Sequence, residues 1–95
     1  MTYSLANKFS SYRHAIAVIG VGGTGSLAAS GIARLLLGYP QLRLVLIDGD
    51  RVEERNLSRQ NYFQEDLGRF KSQALAERLA RRYRTRVAYS ISPLE

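Results

Sequence analysis

Ala15-Ile16-Ala17-Val18-Ile19-Gly20-Val21-Gly22-Gly23-Thr24-Gly25-Ser26 is the stretch that decides the fold. Its first half is a short apolar run with β-branched residues that ends at a glycine cluster. That is the pattern of a strand buried on both faces of a parallel sheet. The second half passes straight into Leu27-Ala28-Ala29-Ser30-Gly31-Ile32-Ala33-Arg34-Leu35-Leu36-Leu37, whose apolar spacing suits a largely buried helix. Gly38-Tyr39-Pro40 ends that helix with a C-terminal glycine and a breaker.

Beyond it, Leu42-Arg43-Leu44-Val45-Leu46-Ile47 stops at Asp48-Gly49-Asp50 and reads as a second strand, parallel to the first because a helix intervenes. Residues Arg51 to Asp66 are polar and lack a sustained period, which marks a long functional loop. Helical spacing resumes from Phe70 to Tyr83 through Ala74, Leu75, Leu79 and Ala80, and Val87 to Ile91 makes a third strand. The predicted fold is α/β, a Rossmann-like βαβαβ half of a doubly wound parallel sheet, with residues 1–14 as an N-terminal extension. Such folds normally carry two halves. Three strands alone leave an open edge and an exposed face, so the chain is expected to be a fragment or to be completed by a partner.

Composition narrows the chemistry. The chain has 95 residues, 45% of them hydrophobic and 23% charged, as in an ordinary small globular domain. Cysteine is absent, which excludes disulfides, thiolate metal sites and thiolate nucleophiles from these residues. No apolar stretch approaches the ~18 to 20 residues of a membrane span, and Met1 to His14 lacks the apolar core of a signal peptide. A cytoplasmic location is expected. The net charge is +6, and twelve of the fourteen basic residues are Arg, which favours phosphate or carboxylate partners.

Gly20, Gly22 and Gly25 have the spacing of a nucleotide-binding turn, and Asp48 ends the second strand where a ribose-binding acid would sit. Glycine there permits a tight turn and a close approach of backbone N–H groups to phosphate, while the helix N-terminus adds a favourable field. These residues leave two readings open: a nicotinamide-binding domain of an oxidoreductase, or an ATP site.

The following segment discriminates. Gly20-x-Gly22-Gly23-x-Gly25-Ser26, Asp48-x-Asp50, Val52, Asn56-Leu57-x-Arg59-Gln60 and Gly68-x-x-Lys71 together resemble the nucleotide site of the ThiF/MoeB/HesA family, relatives of the ubiquitin-activating enzymes. The resemblance runs from about Ile16 to Leu79. It implies an N-terminal portion of a ThiF-type ATP-binding domain, whose parent protein is an adenylyltransferase using ATP and Mg²⁺. In such an enzyme a carboxylate, usually the C-terminus of a ubiquitin-like or sulfur-carrier protein, becomes an acyl-adenylate as pyrophosphate leaves. Hydride transfer has no need for two cations beside the nucleotide, whereas phosphoryl chemistry does.

Carried onto this chain, the resemblance implies that the Gly22-Gly23 backbone packs against the nucleotide, with Gly20 and Gly25 shaping the turn. Asp48 would accept hydrogen bonds from the ribose hydroxyls, and Asp50 would help hold Mg²⁺. Asn56, Arg59 and Gln60 would reach the phosphates; Arg59 is the charged clamp, and Lys71 neutralises phosphate charge during the reaction. Arg59 and Lys71 are thus the candidate catalytic residues. The parent is expected to be a homodimer, and the 95-residue chain alone to bind ATP weakly with little turnover. A non-catalytic ThiF-like interaction module is the further alternative.

Other residues read more plainly. Arg51, Arg55 and Arg69 are expected to be solvated loop charges, and Asp66 a helix N-cap or first-turn acid. The set Arg78, Arg81, Arg82, Arg84 and Arg86 invites a nucleic-acid reading. A solvated helix face or a dock for an acidic partner accounts for it better, because no stacking aromatic is interleaved beyond Tyr83. The family's second metal-binding Asp, its paired zinc cysteines and its thiol nucleophile have no counterpart in these residues.

Overall fold

The computed structural model describes residues 2–4, 14–57 and 61–92. Strands β1 (Thr2–Ser4), β2 (His14–Ile19), β3 (Leu42–Ile47) and β4 (Val87–Ser90) form one sheet in the order β1-β4-β3-β2, with every pairing parallel. Helix α1 (Gly23–Leu35), extended by a 3-10 turn at Leu36–Gly38, carries the chain from β2 to β3. The return from β3 to β4 passes through α2 (Glu54–Leu57), a 3-10 turn at Gln64–Asp66 and α3 (Lys71–Tyr83). The predicted βαβαβ half is present, and its strands run in sequence across the sheet.

Register explains the core. Val18 pairs with Leu46 and Leu44 with Val87, so these side chains share one face of the sheet. Against them pack Ala29, Ala33 and Leu36 from the first crossover and Ala74, Leu75 and Leu79 from the second. Alanine at the helix positions lets both helices approach the sheet closely. Helix α3 places Ala74, Leu75, Leu79 and Ala80 inward and leaves Arg81 and Arg82 exposed, as its sequence spacing requires.

Three expectations need correction. Strand β2 is not buried on both faces: it lies at one edge of the sheet, and Ile19 is 74% exposed. Helix α1 is not largely buried, because only the side toward the sheet is covered, while Leu27, Ala28, Gly31 and Leu35 face outward. Residues 1–14 are not merely an extension, since Thr2–Ser4 pair with Val87–Tyr89 as an edge strand. Among the described residues no helix is long and apolar enough to cross a membrane.

Candidate functional site

The described candidate residues gather at the C-terminal edge of the parallel strands, where open α/β sheets bind ligands. Helix α1 starts inside the glycine cluster, one turn earlier than the apolar spacing alone indicates. A Cβ on Gly25 would lie 1.8 Å from the Gly20 carbonyl oxygen, so only glycine lets the helix start so close to the end of β2. The helix has no side-chain cap and no acid in its first turn. Its first intrahelical bond runs from the Ser26 N–H to the Gly22 carbonyl (2.9 Å), leaving the amides of Gly23, Thr24 and Gly25 ahead of it. Such an N-terminus suits an anion.

Asp48 ties this turn to the next strand. One carboxylate oxygen accepts the Val21 N–H and the other the Asp50 N–H, each at 2.8 Å. A carboxylate offers roughly four acceptor positions, so about two remain for a ligand. The buried Ser72 hydroxyl donates to the Asp48 carbonyl (3.0 Å), which joins α3 to the same point.

Lys71 arrives by a short antiparallel ribbon. The Gly68 N–H donates to the Val52 carbonyl (2.9 Å), the Val52 N–H to the Arg69 carbonyl (2.8 Å) and the Lys71 N–H to the Asp50 carbonyl (2.9 Å). Gly68 lies at φ 81, in the left-handed region, and starts this return. The spacing of Gly68-x-x-Lys71 therefore has a mechanical basis: it sets Lys71 beside Asp50. Lys71 is only 8% exposed, and among the described residues its ammonium makes neither an ion pair nor a hydrogen bond. The nitrogen is not among the fully buried atoms without a partner, so the ammonium opens toward the site and is available to an anion there.

The remaining candidates divide. Asn56 is 3% exposed, and its side-chain oxygen accepts the Glu53 N–H (2.8 Å), which fixes the start of α2. Its amide nitrogen has no partner among the described residues. The Asp50 carboxylate is exposed and likewise unpaired among them. No group of three metal-capable side chains occurs there. Arg59 and Gln60 lie outside the described residues.

Two expectations about neighbouring charges also change. Asp66 is a first-turn acid of the 3-10 turn at Gln64–Asp66 rather than of α3, whose N-cap is Phe70; its carboxylate accepts the Phe63 N–H (2.9 Å) and pairs with Arg78. Arg78 is therefore no part of an open basic face. It donates to the Asn61 carbonyl (3.0 Å) and lies over the Phe63 ring at 4.5 Å, so it clamps the loop ahead of α3. Arg51 lies over Phe70 at 4.0 Å, Arg55 pairs with Glu53, and Arg69 pairs with Glu77, consistent with local loop roles.

Sequence reasoning missed Tyr62. It is 2% exposed, and its hydroxyl donates to the Val21 carbonyl at 2.6 Å with the Lys71 carbonyl 3.4 Å away. Burial, reinforced by the Asp48 charge, pushes this phenol well above its usual range, so it stays a donor. The available signal was the aromatic pair Tyr62-Phe63 in an otherwise polar loop.

A family model described as "ThiF family" matches residues 6–89. The chain belongs to the ThiF family. Membership selects the adenylyltransferase-like fold over the dinucleotide-binding one. Among solved structures, Escherichia coli tRNA N6-threonylcarbamoyladenosine dehydratase, TcdA, is 33% identical with a TM-score of 0.72, over 83% of this chain and 32% of that one. TcdA has also been crystallised with AMP and with ATP. PaaA is 30% identical with a TM-score of 0.72, over 84% of this chain and 24% of that one. E. coli MccB, in complex with AMPCPP and MccA, shares the fold at 24% identity and a TM-score of 0.70, over 86% of this chain and 24% of that one. No curated protein is significantly similar to this ThiF-family chain. The chain spans about a third of the length of the TcdA structure it matches.

Proposed function

We propose that this chain forms the ATP-binding part of a ThiF-type adenylyltransferase that activates a carboxylate as its acyl-adenylate. The observation that carries this reading is Lys71, nearly buried and, among the described residues, without a counter-charge, held beside Asp50 at the sheet edge. A triphosphate supplies the missing negative charge. The open amides at the start of α1 and the unpaired Asn56 nitrogen add donors suited to phosphate oxygens. That TcdA binds ATP and AMP at 33% identity supports the same nucleotide here.

In the reaction, a carboxylate oxygen bonds to the α-phosphorus, and the bond from that phosphorus to the bridging oxygen breaks as pyrophosphate departs. A carboxylate is ionised at neutral pH, so no general base is needed. Catalysis then rests on positioning and charge. The two acceptor positions left on Asp48 match two ribose hydroxyls. Lys71 and, from the sequence motif, Arg59 offset charge on the phosphates, with Gln60 as a further donor. The exposed, unpaired Asp50 carboxylate fits Mg²⁺ as one protein ligand among phosphate and water oxygens. Bound Mg²⁺ would neutralise phosphate charge there.

The carboxylate is proposed to be the C-terminus of a ubiquitin-like or sulfur-carrier protein, and the whole protein a cytoplasmic homodimer. The outward apolar residues of α1 and the open edge of β2 support a partner surface. Calorimetric titration with ATP and Mg²⁺, in parallel with NADH, tests the nucleotide assignment. Weak ATP binding that Arg59→Ala diminishes is expected; tight NADH binding that ATP does not displace would sink the reading.

A further inference from the structure

The end of the sheet opposite the nucleotide edge carries a separate feature. A cleft of about 270 Å³ lies between Leu36, Leu37 and Pro40 on one side and Arg43, Arg84 and Arg86 on the other. Among the described residues no acidic side chain lines it. Of the seven acidic residues described, six lie between Asp48 and Asp66 and the seventh, Glu77, pairs with Arg69. Helix dipoles account for Arg34, Arg81 and Arg82, which sit in the last turns of α1 and α3. Arg43 and Arg86 lie outside the helices, and Arg84 is the C-cap of α3. Arg43 helps build the wall, since its guanidinium donates to the carbonyls of Pro40 and Leu42.

Arg84 is the informative residue. Three described residues have left-handed backbones: Gly20, Gly68 and Arg84, the last at φ 50. Two are glycine, as conformational preference dictates, and the third bears a Cβ where helices usually end on glycine. Strain kept at one position points to a use for its side chain. Arg84 is exposed, makes no ion pair among the described residues and lines the cleft.

We infer that this cleft docks an acidic polypeptide segment of a partner protein, with an aliphatic side chain next to its carboxylates. Guanidinium groups match carboxylates in a planar, two-oxygen geometry. The Leu36, Leu37 and Pro40 wall gives an aliphatic neighbour a place to bury, and Leu37 is 53% exposed without one. A phosphodiester chain has no aliphatic group for that wall, and among the described residues no aromatic side chain lines the cleft to stack its bases.

Fluorescence anisotropy on the full chain decides the matter, using a labelled peptide of alternating Glu and Leu and an oligouridylate of equal charge. The peptide is expected to bind more tightly than the oligouridylate, and Leu37→Ser to weaken only the peptide. Arg84→Gly is expected to weaken peptide binding roughly tenfold or more, by loss of a charge-assisted contact. The same variant should raise the unfolding midpoint by roughly 4 °C as the backbone relaxes. Undiminished peptide binding by Arg84→Gly, or a lowered midpoint, overturns the inference. Tighter binding of the oligouridylate, insensitive to Leu37→Ser, overturns it in favour of nucleic acid.

Discussion

The Tyr62 hydroxyl donates to the Val21 carbonyl at 2.6 Å and stands 3.4 Å from the Lys71 carbonyl, so one buried side chain spans the glycine turn and the start of α3. These are the two segments that the proposed function brings to the phosphates. Tyr62→Phe keeps the ring and leaves the Val21 carbonyl without its donor. A loss of about 1–2 kcal/mol in denaturant unfolding is expected, together with weaker ATP binding but unchanged adenosine binding. Unaltered stability and ATP affinity would show that the hydroxyl couples nothing.

The same residue gives a pH dependence. Folding raises the Tyr62 pKa above its unfolded value of about 10. Between the two values the unfolded chain has lost a proton that the native chain keeps, so stability is fully present below pH ~10 and falls as pH rises beyond it. The expected slope is about 1.4 kcal/mol per pH unit above pH ~10. Chemical denaturation across that range should show it in the parent chain and not in Tyr62→Phe.

Two glycines of α1 should respond oppositely to alanine. At Gly25 the new methyl would meet the Gly20 carbonyl oxygen at 1.8 Å, and at Gly31 it would meet nothing within 4 Å. Gly31→Ala is expected to stabilise by about 0.5–1 kcal/mol. Gly25→Ala is expected to cost on the order of 4 kcal/mol or more, enough to prevent folding of a small domain. Thermal melts of both variants distinguish these outcomes.

Arg78 and Arg81 are near neighbours on α3 with different burdens. Arg78 faces the nearly buried Asp66 carboxylate, whereas Arg81 is exposed. Removing Arg78 strands that carboxylate, so Arg78→Ala should cost about 2–4 kcal/mol. Arg81→Ala should stay within about 0.5 kcal/mol of the parent. Equal effects would contradict the clamp assigned to Arg78.

The sequence made legible those parts whose chemistry is local. The run from Ala15 to Ser26 signalled strand, turn and helix, Asp48 stood out at the end of the second strand, and Lys71 stood out through the resemblance that carries Gly68-x-x-Lys71. Apolar periodicity reports that a face is hydrophobic but not what covers it, so the exposure of Ile19, Leu27 and Leu35 was invisible. Strand β1, three residues long, lacks room for a period. Tyr62 and Arg78 escaped notice because their roles depend on partners 41 and 12 residues away, respectively.

The central claim is that Lys71 faces phosphate. Titration of Lys71→Met with ATP and with adenosine is the direct measurement, since methionine keeps much of the buried stem and removes the charge. ATP affinity is expected to fall at least tenfold while adenosine affinity holds. Equal ATP binding by the variant and the parent chain would contradict it.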